Sequence, residues 1–472
     1  MDKAKQRRLF DAIAPYRDRW KRRNWYYHEQ LRDLVSSMVL PNSTVLEIGC
    51  GTGDLISYLR PARGVGIDFS EEMIRIARQK HPSILYCVGD AEALPISGTF
   101  DYVILSDLIG HLLDVWQACK ELRRVTRPDT RIIITYFNYL WEPILRLADR
   151  LHLKLAQGHQ NWLSLEDIEN LLNLHDYETV KRASRLLVPK YIPLLSPFVN
   201  RVLAKLPLLR RLCLIGFTVA KEQGQRALRP NELSCSIVVP CKNERGNIES
   251  CLERIPQMGS HTEIICVDGN SADGTPDAIL KCIDYYRGKK DIKLIFQGAG
   301  VGKGDAVRKG FEAASGDLLM ILDADLTVPP EDLPKFYLAL AEGKGELIIG
   351  SRLVYPMERQ AMRTLNLIGN KLFSLAFTWI LEQRIKDTLC GTKALLKRDY
   401  KKIAEGRAFF GDFDPFGDFD LLFGAARLNV KIAEMPIRYR ERTHGVTKIS
   451  RFRHGWLLLR MCWVGFLKLK LS

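Results

Sequence analysis

The sequence predicts an α/β protein of two domains, each built on a mostly parallel sheet. Three observations carry that prediction. Short β-branched apolar runs alternate with helix-period stretches in both halves of the chain. A glycine-rich turn, Gly49-Cys-Gly-Thr-Gly53, closes one such run. Far downstream a second run ends in two carboxylates at i and i+2, Asp323 and Asp325. Strand–helix alternation is the pattern of a parallel sheet covered on both faces.

In the first half the strand-like runs fall at residues 45–48, 64–69, 84–88, 102–105 and 132–136, each bounded by turn residues. Between them lie helical stretches such as 71–80, where Met73, Ile76 and Ala77 recur at helical spacing. Two further strands are expected at 177–184 and 212–219. Residues 221–232 are polar, aperiodic and interrupted by Gly224 and Pro230, which reads as a linker. The expected domains are therefore 1–221 and 234–472, joined by 222–233. A second alternation begins at 236–240 and continues through 263–267, 292–296, 318–322 and 347–349.

A chain of 472 residues is long enough for two or three full cores. Its net charge of +15 is concentrated in two places. Lys181 to Lys221 holds nine basic residues and no acid, and Ser450 to Ser472 holds five (Arg451, Arg453, Arg460, Lys468, Lys470), again with none. Both segments are otherwise apolar and aromatic. That mixture suits a surface lying on an anionic membrane. Buried segments with snorkelling Lys and Arg stems are the competing explanation. No apolar run reaches the ~18 residues of a membrane span, and the N-terminus lacks the apolar core of a signal peptide. Eleven scattered cysteines without a Cys-x-x-Cys pair argue against a disulfide framework or a zinc ribbon. The expected location is cytoplasmic, peripheral on the inner membrane face.

Gly49, Gly51 and Gly53 permit a tight turn and let backbone amides approach a ligand. Asp68 ends the second strand, where a carboxylate accepts from ribose hydroxyls, and Asp90 ends the third, where one accepts from the adenine amine. With Glu47 opening the pattern Glu-Ile-Gly-Cys-Gly-Thr-Gly, this constellation resembles the class I S-adenosylmethionine-dependent methyltransferases over about residues 25–220. The resemblance implies a Rossmann-like methyltransferase sheet with S-adenosyl-L-methionine as cofactor. It places Glu47 at the methionine amino end, Gly49, Cys50, Gly51 and Gly53 along the cofactor, Asp68 at the ribose, and Asp90 with Ala91 at the adenine. A dinucleotide site is disfavoured because the third glycine of Gly-x-Gly-x-x-Gly is missing. His111, after the fourth strand, is a candidate general base or acceptor-positioning group, with a structural role the alternative.

Asp323 and Asp325 are expected on one side of their strand, because side chains alternate with period two. Adjacent carboxylates repel unless a cation lies between them, and Mg²⁺ or Mn²⁺ binds through such carboxylates plus phosphate oxygens. Around the pair stand residues 239–244, 267–275 and 300–306. Together they resemble the family 2 glycosyltransferases of the GT-A nucleotide-sugar-binding fold, over nearly all of 234–450. That resemblance implies a nucleotide pocket lined by Pro240, Asn243, Glu244, Asp268 and Asn270, with Lys303 near the nucleotide. Asp323, Ala324 and Asp325 would hold nucleotide and metal. A P-loop is excluded, since Gln297 stands at its first glycine and Gly304 at its Ser/Thr.

The likeness is closer to dolichyl- and polyprenyl-phosphate sugar synthases. There Arg352, Arg363, Arg442 and Lys448 would bind the carrier phosphate and the diphosphate. Two departures leave the acceptor open: Cys390 replaces the usual Ser before Gly391, and residues 416–420 offer aspartates where a Glu is expected. A phosphate acceptor is already ionised and needs no base. A sugar hydroxyl needs one, and Asp387 or Asp420 is then the candidate.

The expectation is a bifunctional enzyme, a methyltransferase joined to a metal-dependent inverting glycosyltransferase. It would move a sugar from a nucleotide-sugar donor to a polyprenyl-phosphate or saccharide acceptor in cell-surface glycan or glycolipid synthesis. The alternative makes the first domain a non-catalytic scaffold. An anionic membrane surface is an expected partner and nucleic acid is not. No Asn/Asp-Pro-Pro-Tyr/Phe base-pocket motif is present, and the basic patches are apolar.

Overall fold

The computed structural model describes residues 3–153, 155, 158, 160–223, 230–300, 302–352, 364–410, 419–440, 442 and 451–471. The chain divides into two compact units, Met1–Gln223 and Gly224–Ser472.

The first unit is a seven-stranded sheet of β1 (Thr44–Ile48), β2 (Arg63–Asp68), β3 (Leu85–Val88), β4 (Tyr102–Ser106), β5 (Arg131–Phe137), β6 (Tyr177–Arg185) and β7 (Ile215–Glu222). The spatial order is β3-β2-β1-β4-β5-β7-β6. Only β7 runs antiparallel to its neighbours. Strand order reverses between β1 and β4, so the crevice outside their carboxyl ends is where a ligand binds in such a sheet. Val45, Leu46, Ile48, Ile67, Ile104 and Ile133 are buried, which is why these strands read as continuous apolar runs. The helix Glu71–Lys80 is capped by Ser70 and buries Met73, Ile74 and Ala77.

The second unit holds β8 (Ser234–Cys241), β9 (His261–Asp268), β10 (Asp291–Phe296), β11 (Leu318–Ile321), β12 (Leu347–Ser351), β13 (Lys393–Leu396) and β14 (Ile432–Pro436). Their order is β10-β9-β8-β11-β13-β12-β14, with β13 antiparallel to both neighbours. Sequence patterning does not reveal β13 or β14. β13 begins with Lys393, a buried lysine that donates to the Cys390 carbonyl at 2.6 Å. β14 is mostly half-buried. Pairing with neighbouring strands, not local pattern, makes both of them strands.

Two local expectations need correction. The linker does not start at 222, because Lys221 and Glu222 belong to β7 and are buried. Lys221 pairs with Glu178 at 3.3 Å, and Glu222 accepts from the Thr126 hydroxyl at 2.6 Å. In the C-terminal segment Lys470 is buried in an ion pair with Glu382, so it behaves as the competing explanation requires. Its neighbours do not: Trp456, Leu459 and Trp463 are exposed on the helix Arg451–Gly465. Among the described residues no helix is long and apolar enough to cross a membrane.

Candidate active sites

In the first unit the chain leaves β1 through Gly49, Gly51 and Gly53, at φ +77°, +54° and +77°. Space matters as well as dihedral: a Cβ on Gly49 would meet Leu108 at 2.8 Å, and one on Gly51 the Arg17 Nε at 2.9 Å. Gly49 and Cys50 both donate to the Ile67 carbonyl. The Gly51 amide donates to Asp68 at 2.8 Å, and the other Asp68 oxygen accepts from the Ser70 amide at 3.0 Å. Asp68 thus organises the glycine turn, and burial pushes its carboxyl up. Glu47 is buried behind the turn, accepting from the Ile56 amide at 3.0 Å. Desolvation lifts its pKa to about 8.

Gly49 and Asp68 line a cavity of about 330 Å³ that also reaches Asp90, Ala91 and His111, whereas Glu47 and Cys50 line a neighbouring one on the other side of Gly49. One wall of the first cavity is the N-terminal helix Lys3–Arg23. Lys3 pairs with Asp90 and Glu92, both at 2.6 Å. Gln6 donates to the His111 carbonyl at 2.6 Å, and the Phe10 ring lies edge-on to His111 and Phe69. Arg17 lies over Gly51, and Lys21 reaches Thr52 at 2.9 Å and Asp54 at 2.6 Å. The Nε of Arg17 is buried with no hydrogen-bond partner. Deeper in, Tyr27 donates to Asp107, which sits just past β4 at φ +52°. Burial raises both groups. His28 is pushed down to about 3, by burial first and then by Lys21 and Arg17, and is a neutral imidazole at pH 7.

Sequence reasoning missed this helix entirely, although a signal was present. Lys3, Gln6, Phe10, Arg17 and Lys21 fall at spacings of 3, 4, 7 and 4, one face of a helix.

In the second unit β11 ends at Ile321. Asp323 and Asp325 therefore share a site because a turn brings them there, not through strand alternation. Lys303 pairs with Asp323 and Arg442 with Asp325, each at 2.6 Å. Asp325 also accepts from the Thr327 amide and hydroxyl, at 3.1 and 2.7 Å. Burial alone would raise Asp323, but Lys303, Lys393 and Arg442 hold it below the usual carboxylate range. A Cβ on Gly391 would collide with both Asp323 and Lys303. Ala324 is buried between the two aspartates.

The ends of β8 and β9 lie on the same side of the sheet as the end of β11, since the three strands run parallel. Asn243 and Asn270 adopt left-handed turns at φ +53° and +59°. Asn243 accepts from the Ala272 amide at 2.9 Å, and Asn270 donates to the Gly298 carbonyl at 2.8 Å. Pro240 lies within β8, and Glu244 accepts from Asn247 at 2.7 Å. Asp268 is buried, with one oxygen accepting from the Ser271 amide at 3.1 Å and the other, Oδ1, left without a partner.

Arg352 and Asp387, given separate tasks by the sequence, are held to each other. The guanidinium grips the carboxylate at 2.6 and 2.7 Å, the Arg352 amide adds a third bond at 3.0 Å, and Tyr439 lies under the guanidinium. Asp420 is tied to Arg407 at 3.1 Å with Arg308 nearby. Neither carboxylate is placed as a ready base. Cys390 is buried and pushed up to about 11. Arg363 and Lys448 lie outside the described residues. Among the described residues no group of three or more His, Cys, Asp or Glu is disposed to hold a metal.

One site is built on a glycine turn and the other on a charge-compensated acidic pair, each in its own α/β unit. A methyltransferase-domain family model matches residues 20–182, and the glycosyl transferase family 2 model matches residues 236–403. The chain belongs to the family 2 glycosyltransferases through its second domain and carries a methyltransferase domain ahead of it. A dolichyl-phosphate hexose transferase of Haloferax volcanii is 31% identical over 221 residues, 47% of this chain and 88% of that protein. A dolichol-phosphate mannosyltransferase of Pyrococcus furiosus is 30% identical over 46% of this chain and 60% of its own length. The first domain is 34% identical to a 2-phytyl-1,4-naphtoquinone methyltransferase of Thermosynechococcus vestitus, over 28% of this chain and 64% of that one. The chain thus spans less than two thirds of the length of the last two relatives. Among solved structures, an S-adenosylmethionine-dependent methyltransferase of Thermotoga maritima is 21% identical over 46% of this chain and all of its own, at a TM-score of 0.37.

Proposed function

We propose that both domains are catalytic and serve the assembly of a membrane glycolipid or surface glycan. The second moves a sugar, with inversion, from a nucleotide-sugar to a polyprenyl phosphate. The observation that carries this reading is the acidic pair with a cation on each member, past the same end of the sheet that delivers a buried aspartate with an unused oxygen.

In the first domain Asp68 would take the ribose, Asp90 and Ala91 the adenine, and Glu47 the methionine amino end of S-adenosyl-L-methionine. The buried, unpartnered Nε of Arg17 over the glycine turn suits the cofactor's carboxylate, so the residues fit the group. When bound, the cofactor supplies a methyl group on a sulfonium, a leaving group that needs no activation. The chain's task is then orientation and exclusion of water, by the glycine turn below and the N-terminal helix above. His111 and Asp107 line the acceptor side of the cavity.

In the second domain the free Asp268 oxygen would accept an N–H of the nucleobase, with Asn243, Asn270, Pro240 and Glu244 shaping the pocket. Asp323 and Asp325 would hold Mg²⁺ or Mn²⁺, which supplies charge for a departing diphosphate. Lys303 and Arg442, now on those carboxylates, are cations suited to the diphosphate and the acceptor phosphate, a role extended to Arg363 and Lys448. With Arg352 and Asp387 joined, their part is to stiffen the acceptor side. A phosphate acceptor needs no base, which agrees with Asp387 and Asp420 being bound to guanidinium groups. The exposed Leu372, Leu375, Trp456, Leu459 and Trp463, with Arg460 and Lys468 on the same C-terminal helix region, suit peripheral attachment to the inner membrane face.

Incubation with a panel of nucleotide-sugars and Mg²⁺ or Mn²⁺ tests the second half. One donor should be hydrolysed slowly, and chelation or Asp325→Asn should stop it; equal hydrolysis with chelator present defeats metal dependence. Calorimetry with S-adenosylmethionine tests the first. A scaffold gives no heat, whereas a cofactor site binds and loses affinity on Asp68→Ala.

A further inference from the structure

The cavity of the first unit does not stop at the groups that suit a cofactor. Past Asp107 and Tyr27 its wall is apolar, formed by Phe137, Trp141, Leu145, Ala148, Leu155 and Leu214. It opens where its own lining becomes exposed, at Ile144, Leu153 and Lys190.

The two elements that carry the lining to that opening, the helix Glu142–Arg150 and the segment between β6 and β7, expose a surface unusual for one left in water. Ile144, Leu147 and Leu151 stand exposed on and just after the helix Glu142–Arg150. Leu194, at 89% exposure, Phe198 and Leu208, at 80%, stand exposed on the segment between β6 and β7. The two elements are joined where Trp141 Nε1 donates to the Leu212 carbonyl at 2.8 Å. Lys190, at the mouth, bonds Asn24 at 2.5 Å. From 187 to 220 the segment carries Lys190, Arg201, Lys205, Arg210 and Arg211 and no acid. Splayed apolar side chains among basic residues complement an anionic bilayer, with the apolar groups below the headgroups and the cations level with them.

We infer that the methyl acceptor is a membrane-resident amphiphile, its hydrocarbon chain lying in this apolar gallery and its hydroxyl end reaching Asp107 and Tyr27. The acceptor enters from the bilayer on which that surface rests, so it need not cross water. At the inner end Asp107, the Tyr27 hydroxyl and the His28 imidazole line the cavity. As the carbon–sulfur bond breaks and the new oxygen–carbon bond forms, the acceptor hydroxyl's proton passes to the Asp107 carboxylate. An anionic head would instead meet that carboxylate as a like charge. This identification of the substrate rests on the reading of the domain as a methyltransferase.

Calorimetry on the full chain, with hexanol, octanol and decanol as probes and S-adenosylmethionine titrated separately, tests it. Affinity should rise about tenfold for each two methylenes. It should fall at least tenfold in Leu145→Trp, which fills the gallery, while affinity for S-adenosylmethionine stays within about twofold. Decanol bound equally by wild type and Leu145→Trp overturns the inference. Ala148→Leu, a smaller obstruction, gives the same reading should Leu145→Trp fail to fold. Leu194→Glu with Leu208→Glu tests the source: binding to anionic vesicles should weaken about tenfold with decanol affinity unchanged. Unchanged vesicle binding would remove the membrane as the supplier. Absence of heat with S-adenosylmethionine, with decanol still bound, would instead defeat the methyltransferase reading and leave an amphiphile site.

Discussion

Single carboxylates in this chain do different work according to what surrounds them. Glu47 and Asp68 lie on neighbouring strands, yet Asp68 accepts from one amide of the glycine turn and one just past its own strand, while Glu47 has one amide and a dry pocket. Glu47 ionises near 4.5 in an ordinary setting and near 8 here. Its ionisation in the folded state therefore costs stability progressively as pH rises from 4.5 to 8, because the unfolded chain loses that proton first. Glu47→Gln removes the cost and keeps an oxygen for the Ile56 amide. The melting temperature of Glu47→Gln relative to wild type should climb between pH 5 and pH 8 and then level off; a difference independent of pH would refute this. Arg17 is the second residue whose role is set by its surroundings. Its orphaned Nε predicts that Arg17→Ala weakens S-adenosylmethionine binding about tenfold or more by calorimetry, the scale of a charge-assisted bond.

At the scale of elements, turns matter more than strands for placing the chemistry. β1, β2, β8 and β9 end within one residue of where patterning expects, and the last residues of β2 and β9 are Asp68 and Asp268. Asp323 and Asp325 depend on the turn after β11 and on the segment before β13, whose Gly391 leaves room for Asp323 and Lys303 to meet. Gly391→Ala should abolish nucleotide-sugar hydrolysis, since the new methyl group displaces that pair. The melting temperature should fall by only a few degrees, because β13 keeps both its neighbours. Retention of full hydrolysis would show that the close approach is dispensable. The N-terminal helix shows the opposite limit of sequence reading. Its functional face was legible as spacing, but nothing local indicated that the face covers a cavity.

For the whole molecule, the described residues of each site belong to one compact unit. The two activities should therefore fail separately. Asp68→Ala should remove S-adenosylmethionine binding and leave nucleotide-sugar hydrolysis within about twofold, and Asp325→Asn should do the reverse. Loss of both with either change would mean coupled sites. The proposed attachment to membranes also belongs to this scale, because the exposed C-terminal aromatic residues and the net charge of +15 would act together. Trp456→Glu with Trp463→Glu should lower flotation with anionic liposomes, and raised salt should lower it further. Flotation indifferent to both would leave the charge without that purpose.

The two-domain α/β architecture, the glycine turn and most of the strand-end acids were legible because apolar periodicity and turn chemistry are local properties of the chain. Only tertiary structure decided which charged groups are spent on one another. Arg352 closes on Asp387, Lys470 on Glu382, Lys303 on Asp323 and Arg442 on Asp325, across separations in sequence that carry no local signal. A buried charge is tolerable only beside its partner. That partner is chosen by how the sheets bring distant turns together, which no stretch of sequence states on its own.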